Sequence, residues 1–151
     1  MQNKTNMWLL LGVVILFVLA VLFTHQPKYM EDEQAVLVDF AALVPADGVV
    51  ELNRDAPPPG KQFIGEDAIA VVLAVQEAGL IPYSGPKHTP APGYAWSISC
   101  MDGAGNDLFI LYVGTSEVQY YSFSDETNMY YSLSQEDMDA LHVKLEQFFN
   151  T

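Results

Sequence analysis

Cys100 is the one cysteine of the chain and the first residue whose type could carry chemistry. It alternates with Trp96 and Ile98 along a predicted strand, so the three side chains share one apolar face. Free cysteine is among the most buried residue types, and no histidine is forced close to it by a neighbouring segment. We therefore expect a core thiol rather than a nucleophile. A single cysteine also excludes a disulfide within the chain.

The histidines His25, His88 and His142 are the next candidates. Their spacing does not give the close pairs that metal sites use, such as two histidines four residues apart on one helix. No serine stands between glycines at a strand-to-helix turn, and no glycine-rich loop joins a strand to a helix. We predict no catalytic, metal or cofactor site. A hydrolase that uses His88 and nearby carboxylates remains an alternative.

Residues 102–107 carry three oxygen-bearing side chains around two glycines. Such a loop could hold a weak Ca²⁺ site, but its spacing does not fit the twelve-residue calcium loop and the closing glutamate is absent. A hairpin turn that needs positive φ angles explains the same residues. We therefore predict a turn here.

Tyrosines gather on three predicted strands and are one candidate for recognition. Alternation along a strand sends about half of them to the outside of a sheet, where they could contact a partner or only stabilise neighbouring strands. The proline-rich residues 81–93 could likewise be a surface connection or a binding loop. Our candidate partner contacts are Tyr83 and His88 in this stretch, with Tyr120 and Tyr130 on the strands.

The elements that position these residues can be read from the hydrophobic pattern. The pattern predicts a loose hairpin from residues 49–53 and 61–64, a helix over 66–78, and four serial strands at 94–101, 108–113, 118–123 and 129–133. Residues 108–113 are apolar throughout, as expected of a central strand covered on both faces. Ser134 and Asp137 begin a closing helix. Residues 31–44 fit either a helix or a strand.

These elements predict an α+β fold, in which an antiparallel meander of four or more strands packs against two helices. One N-terminal transmembrane helix precedes it, because residues 7–23 form an uncharged apolar run within the ~17–25 residues that span a bilayer. No site after this run has the small residues of a signal-peptidase cut, so we expect a retained anchor, with cleavage as the alternative. The chain then divides into a cytoplasmic tail (1–6), the anchor (7–23), a neck (24–34) and an extracytoplasmic domain (35–151).

The net charge of −13 restricts the partners of that domain. Phosphate backbones repel so acidic a surface, which excludes nucleic acid as a partner. The acidity either serves solubility or matches a protein with a basic surface. The lipid bilayer is the other expected partner, through residues 7–23.

The order of these features resembles small membrane-tethered extracytoplasmic α+β domains of unknown function from Gram-positive bacteria. The likeness covers residues 48–150 and rests on five segments: VVEL at 49–52, QFI at 62–64, EDAI at 66–69, YAWSI at 94–98 and MYYSLS at 129–134. It implies one anchor, an early hairpin, a helix, a meander and a closing helix. It transfers no catalytic residue, because such domains are mostly uncharacterised.

Two functions follow as hypotheses from these observations. The first is a membrane-anchored binding or interaction domain without a catalytic motif, acting through the proline-rich loop or the tyrosine face of the sheet. The second is an acidic inhibitor or immunity-type protein that blocks a basic exported enzyme.

Overall fold

The computed structural model describes residues 36–54, 60–84 and 93–151. Within these residues, a seven-stranded antiparallel sheet and two α-helices form an α+β fold, which confirms the predicted class. The helices are α1 (Gly65–Gln76) and α2 (Gln135–Asn150), and a short 3₁₀ turn spans Ala41–Leu43. The strands are β1 (Val49–Arg54), β2 (Lys61–Ile64), β3 (Ile81–Pro82), β4 (Trp96–Met101), β5 (Asp107–Val113), β6 (Glu117–Ser122) and β7 (Asn128–Ser132).

The strands lie in the order β2-β1-β4-β5-β6-β7-β3. The predicted meander is confirmed as β4 to β7, in which each strand pairs with the next along the chain. The predicted early hairpin is confirmed as β1 and β2, and β1 joins the meander by pairing with β4. The proline-rich stretch was expected to be irregular from residue 81, but Ile81 and Pro82 pair with β7 as a short edge strand.

The helices cover one face of this sheet. The side chains of Ile98, Leu111 and Tyr120 are in register on neighbouring strands and are buried beneath the helices, because alternate residues of a strand point the same way. Ile110 and Tyr112 point the other way and are only half-buried. The expectation that this central strand is fully covered on both faces is therefore wrong for its outer side.

Both predicted helices are present, with bounds shifted by a few residues. Asp137 N–H donates to Ser134 Oγ at 3.1 Å, which confirms Ser134 as the N-cap of α2. Met138, Leu141 and Leu145 form the buried stripe of that helix. Helix α1 ends before the predicted residue 78, and Gly79 follows with φ +80°, a conformation that glycine adopts without a Cβ clash.

From residue 36 onward, the segment before β1 is neither the α-helix nor the strand that residues 31–44 predicted. Residues 36–39 are irregular and lead into the 3₁₀ turn at Ala41–Leu43. Phe40 holds this segment to the domain, because its fully buried ring lies 5.2 Å from that of Tyr120 and 5.9 Å from that of Tyr131. The hydroxyl of Tyr131 also donates to the carbonyl of Val36 at 2.9 Å.

Several predictions concern residues outside this description. The tail (1–6), the transmembrane helix (7–23), the neck (24–34) and His88 all lie outside the described residues. Among the described residues, no helix is both long enough and apolar enough to cross a membrane.

Candidate functional site on the outer face of the sheet

The outer face of the sheet, meaning the face opposite α1 and α2, carries a row of polar and aromatic side chains. The pairing of β1, β4, β5, β6 and β7 sets these residues opposite one another, and the N–H of Tyr83 extends the row by donating to the carbonyl of Tyr130 at 2.9 Å. Apart from exposed Tyr83, the row is half-buried. In order across the sheet, its residues are Asn53, Ser97, Tyr112, Gln119, Tyr130 and Tyr83.

A hydrogen-bond network fixes the middle of this row. Tyr94 stacks on Tyr112 with ring centroids 4.6 Å apart and donates its hydroxyl hydrogen to Gln119 Oε1. Gln119 Nε2 donates to Asn128 Oδ1 at 2.8 Å and to Tyr130 Oη at 3.3 Å. Asn128 Nδ2 donates to the same phenol oxygen at 3.0 Å. These bonds hold both amides and the phenols of Tyr94 and Tyr130 in one arrangement before any partner binds, and the ring of Tyr112 packs on that of Tyr94.

The surroundings of Tyr94 keep its phenol neutral. Burial raises the pKa of Tyr94, and the neighbouring Tyr130, Glu117 and Tyr112 raise it further. A phenol with a raised pKa remains protonated at neutral pH and keeps its hydrogen for donation. Tyr94 therefore remains the donor that orients Gln119.

A second row lies beside the first, and one of its residues forms an aromatic pair. The residues of this row are Glu51, Ser99, Ile110, Tyr121 and Asn128. The ring of Tyr121 meets that of Phe123 edge to face, with centroids 5.0 Å apart. Phe123 is 43% exposed, so the pair presents an aromatic ring to solvent.

Several hydroxyl groups of the two rows are available to a partner. Among the described residues, the hydroxyls of Ser97, Ser99, Tyr112 and Tyr121 have no hydrogen-bond partner. Each of these residues is half-buried, and a hydroxyl can both donate a hydrogen bond to a partner and accept one from it.

Charge is sparse on the two rows, although the described residues hold 15 acidic and 3 basic residues. Glu51 lies there and accepts from Asn53 Nδ2 at 3.0 Å and from Gln62 Nε2 at 3.1 Å. Glu117, on the same side of the sheet, is only 7% exposed. Few charges together with many tyrosines are the composition that distinguishes the centre of a protein interface.

The four contact residues predicted from the sequence do not all lie on one surface in the structure. Tyr83 and Tyr130 become neighbours in the first row. Tyr120 is only 6% exposed and packs against Phe40 and Phe109 on the helix side, so it is not accessible to a partner. Its neighbour Tyr121 occupies the outer face instead. His88 lies outside the described residues, and the hydrolase hypothesis built on it stays a prediction.

The remaining sequence candidates have structural roles. Cys100 is fully buried, and burial raises the pKa of its thiol to about 11, which confirms a core thiol. Asp102 Oδ1 accepts from the N–H groups of Ala104 and Asn106 at 2.9 and 2.8 Å, which confirms the hairpin turn. Hydrogen bonds from Asn106 are the main cause of its lowered pKa. Within the described ranges, no three His, Cys, Asp or Glu residues are placed to hold a metal ion.

His142 has a role that sequence reasoning missed. Its Nδ1 accepts from Trp96 Nε1 at 3.0 Å, so its Nε2 carries the hydrogen and donates to the carbonyl of Gly114 at 2.9 Å. Trp96 and His142 line a cleft of about 330 Å³, and the ion pair between Arg54 and Glu146 lies in the same cleft. Because both ring nitrogens are engaged, His142 joins α2 to the sheet and is not free to act as a base.

No protein-family model, curated protein or solved structure matches this chain. The likeness to small tethered domains therefore stays an expectation. The chemistry of the outer face is the observation from which a function can be inferred.

Proposed function

We propose that this protein is a membrane-anchored extracytoplasmic binding domain without catalytic activity, which holds a partner against the outer face of its sheet. The row from Asn53 to Tyr83 carries this proposal, because it sets half-exposed phenol, hydroxyl and amide groups side by side across the sheet. Such groups supply apolar contact area and hydrogen bonds to the same partner.

Rigidity of the network supports binding. Gln119, Asn128 and Tyr130 are already oriented by one another, so a partner that contacts them does not have to order them. Ordering a flexible side chain at an interface costs about 0.5–1.5 kcal/mol, and the network has removed much of that cost. Two groups with shifted pKa values have structural roles instead, since Cys100 packs in the core and Asp102 stabilises a turn. Shifted pKa values that serve the fold give no support to catalysis, which favours binding.

The proposed location of the domain rests on the sequence alone. Residues 7–23 are long and apolar enough to anchor the chain in the cell membrane as a single pass, with residues 1–6 in the cytoplasm. The acid-rich domain then lies outside the cell, where its charge repels anionic headgroups and favours a domain that stands away from the bilayer. The outer face would then be accessible to other proteins.

An inhibitor or immunity-type protein that blocks a basic exported enzyme is the second candidate. The 15 acidic residues of the described ranges face only 3 basic ones, Arg54, Lys61 and Lys144, and each of these already has a partner in the fold. The unpaired acids would attract a basic enzyme and speed its association.

Site-specific photocrosslinking in native membranes tests the first proposal. A photoreactive phenylalanine derivative would replace Tyr121 or Tyr83 on the outer face, with Val143 as the control because it is 59% exposed on α2. We expect discrete adducts from the outer-face positions and none from position 143. Adducts from position 143 alone, or equal labelling at all three, would contradict the proposal. Adducts that persist at high salt would argue against the inhibitor candidate, because salt screens the exposed charges on which that candidate depends.

A further inference from the structure

One end of the sheet is strongly acidic. The turns β4–β5 and β6–β7 lie at this end because the four strands are antiparallel neighbours, and the chain enters β1 there because Val49 pairs with Met101. We call this region the acidic end and define it by five residues: Asp47, Asp102, Asp107, Asp125 and Glu126. In the described parts of the chain, none of the five has an ion-pair partner.

The exposed aromatic pair of the outer face lies at the same end. Phe123 follows β6 directly and opens the turn that contains Asp125 and Glu126. Its N–H donates to the carbonyl of Leu108 at 3.0 Å, which holds it beside the start of β5 and Asp107. The edge-to-face contact with Tyr121 then fixes its ring on the outer face. Aromatic and anionic groups are thus adjacent here.

The basic residues of the described ranges are engaged elsewhere. Arg54, at the opposite end of β1, pairs with Glu146 at 3.0 Å and lies 5.7 Å from the ring centre of Trp96. Lys61 donates to the carbonyl of Phe148 at 3.0 Å, and Lys144 lies 4.0 Å from Glu77. The acidic end is therefore left without neutralisation by the described part of the fold.

We infer that the partner of this domain presents a cationic lysine- or arginine-containing segment to the Tyr121–Phe123 pair, with the carboxylates of the acidic end around it. The inference rests on the proposed function and specifies the chemistry of the partner. Cationic side chains are attracted both by carboxylates and by the faces of aromatic rings. Anionic polymers are repelled from the same surface, and a neutral ligand gains nothing from its charges.

The turn geometry keeps this charge in place. Oxygen atoms of Asp102 accept hydrogen bonds from Asn106 and Ala104, and Asp125 accepts from Thr127 N–H at 3.3 Å. Hydrogen bonds led by those from Ser122 and Thr127 lower the pKa of Asp125. Both carboxylates therefore stay ionised into mildly acidic solution.

Binding of a fluorescent octalysine peptide to the full-length protein in neutral detergent tests this inference. The acidic-end variant carries Asp125→Asn and Glu126→Gln, and a matched control carries Glu136→Gln and Asp139→Asn on exposed positions of α2. At low salt we expect the acidic-end variant to raise the Kd about tenfold, and the control to raise it less than about twofold. Phe123→Ala should raise it by about threefold.

Two outcomes would overturn the inference. One is equal weakening by the two charge variants, which would show attraction to net charge rather than to a site. The other is no measurable binding of octalysine by the folded wild type, with a glycine–serine peptide of the same length as the baseline. Unfolding curves of each variant check that the fold is kept. The proposed function is tested separately by photocrosslinking from positions 121 and 83, because the photoreactive group forms adducts whatever the charge of the partner.

Discussion

Cys100 and Tyr131 lie in the core, where burial raises the pKa of the thiol to about 11 and that of the phenol to about 12. Both residue types can be reactive, but burial keeps these two side chains protonated and gives them structural roles. Tyr131 stays protonated and donates to the carbonyl of Val36, while Cys100 contributes only apolar packing. The alternation of Cys100 with Trp96 and Ile98 was enough to predict this, because it placed the thiol on an apolar face.

Cys100 gives a direct prediction, since it is the only thiol in the chain. Alkylation by iodoacetamide requires the thiolate, which is scarce at about pH 8 when the pKa is about 11. We expect the folded protein to react on the order of a hundredfold more slowly than the same chain in concentrated guanidinium chloride. Intact mass spectrometry over a time course measures both rates. Comparable rates in the two solutions would show that the thiol is exposed.

At the scale of elements, the imidazole of His142 links α2 to the sheet by hydrogen bonds, in addition to the buried apolar stripe of that helix. His142 accepts from Trp96 and donates to Gly114, and the ring of Phe149 lies 5.8 Å from that of Trp96. Arg54 adds an ion pair to Glu146 from the end of β1. This pair is largely exposed and contributes at most about 1 kcal/mol, so the buried indole hydrogen bond is the more important link.

Replacing His142 with phenylalanine tests this link. The change keeps a ring of similar size but leaves the N–H of Trp96, a residue only 4% exposed, without an acceptor. We expect the free energy of unfolding to fall by about 1–3 kcal/mol, measured by urea denaturation. Val143→Ala on the same helix is the control, with an expected change within about 0.5 kcal/mol because that side chain is exposed. In a Trp96→Phe background the loss should largely vanish, and its persistence would argue against the hydrogen bond as the cause.

The local sequence pattern predicted most helices and strands, but it did not predict which side chains contact one another across the sheet. Alternation and turn residues located β1, β2 and the meander, and Ser134 located the start of α2. The strand β3 was missed because two residues, one of them proline, give no periodic signal. Which of Tyr120 and Tyr121 lies outside depends on which face the helices cover, and that is set by contacts distant in sequence. The network around Gln119 depends on the same register, so the sequence alone could not reveal it.

At the scale of the whole molecule, charge and apolar surface are divided between regions. The described domain places five carboxylates without an ion-pair partner among the described residues at one end of its sheet, and its three described cations lie at the other end or on α2. The longest apolar run of the chain lies at residues 7–23, ahead of that domain. Within the described residues, Phe40 and the two helices cover the inner face of the sheet. A membrane is the environment in which such a run is stable.

The proposed anchor predicts how the protein fractionates. Full-length protein should stay in the membrane pellet after an alkaline carbonate wash, because a helix of residues 7–23 buries its apolar side chains in lipid. Deletion of residues 7–23 should release the domain into the soluble fraction with its unfolding curve unchanged. Protease added to intact cells should digest the domain of the full-length protein only if it faces outward, with a cytoplasmic protein as the control for lysis. Full-length protein that washes off with carbonate, or a mature N-terminus that begins after Phe23, would contradict a retained anchor.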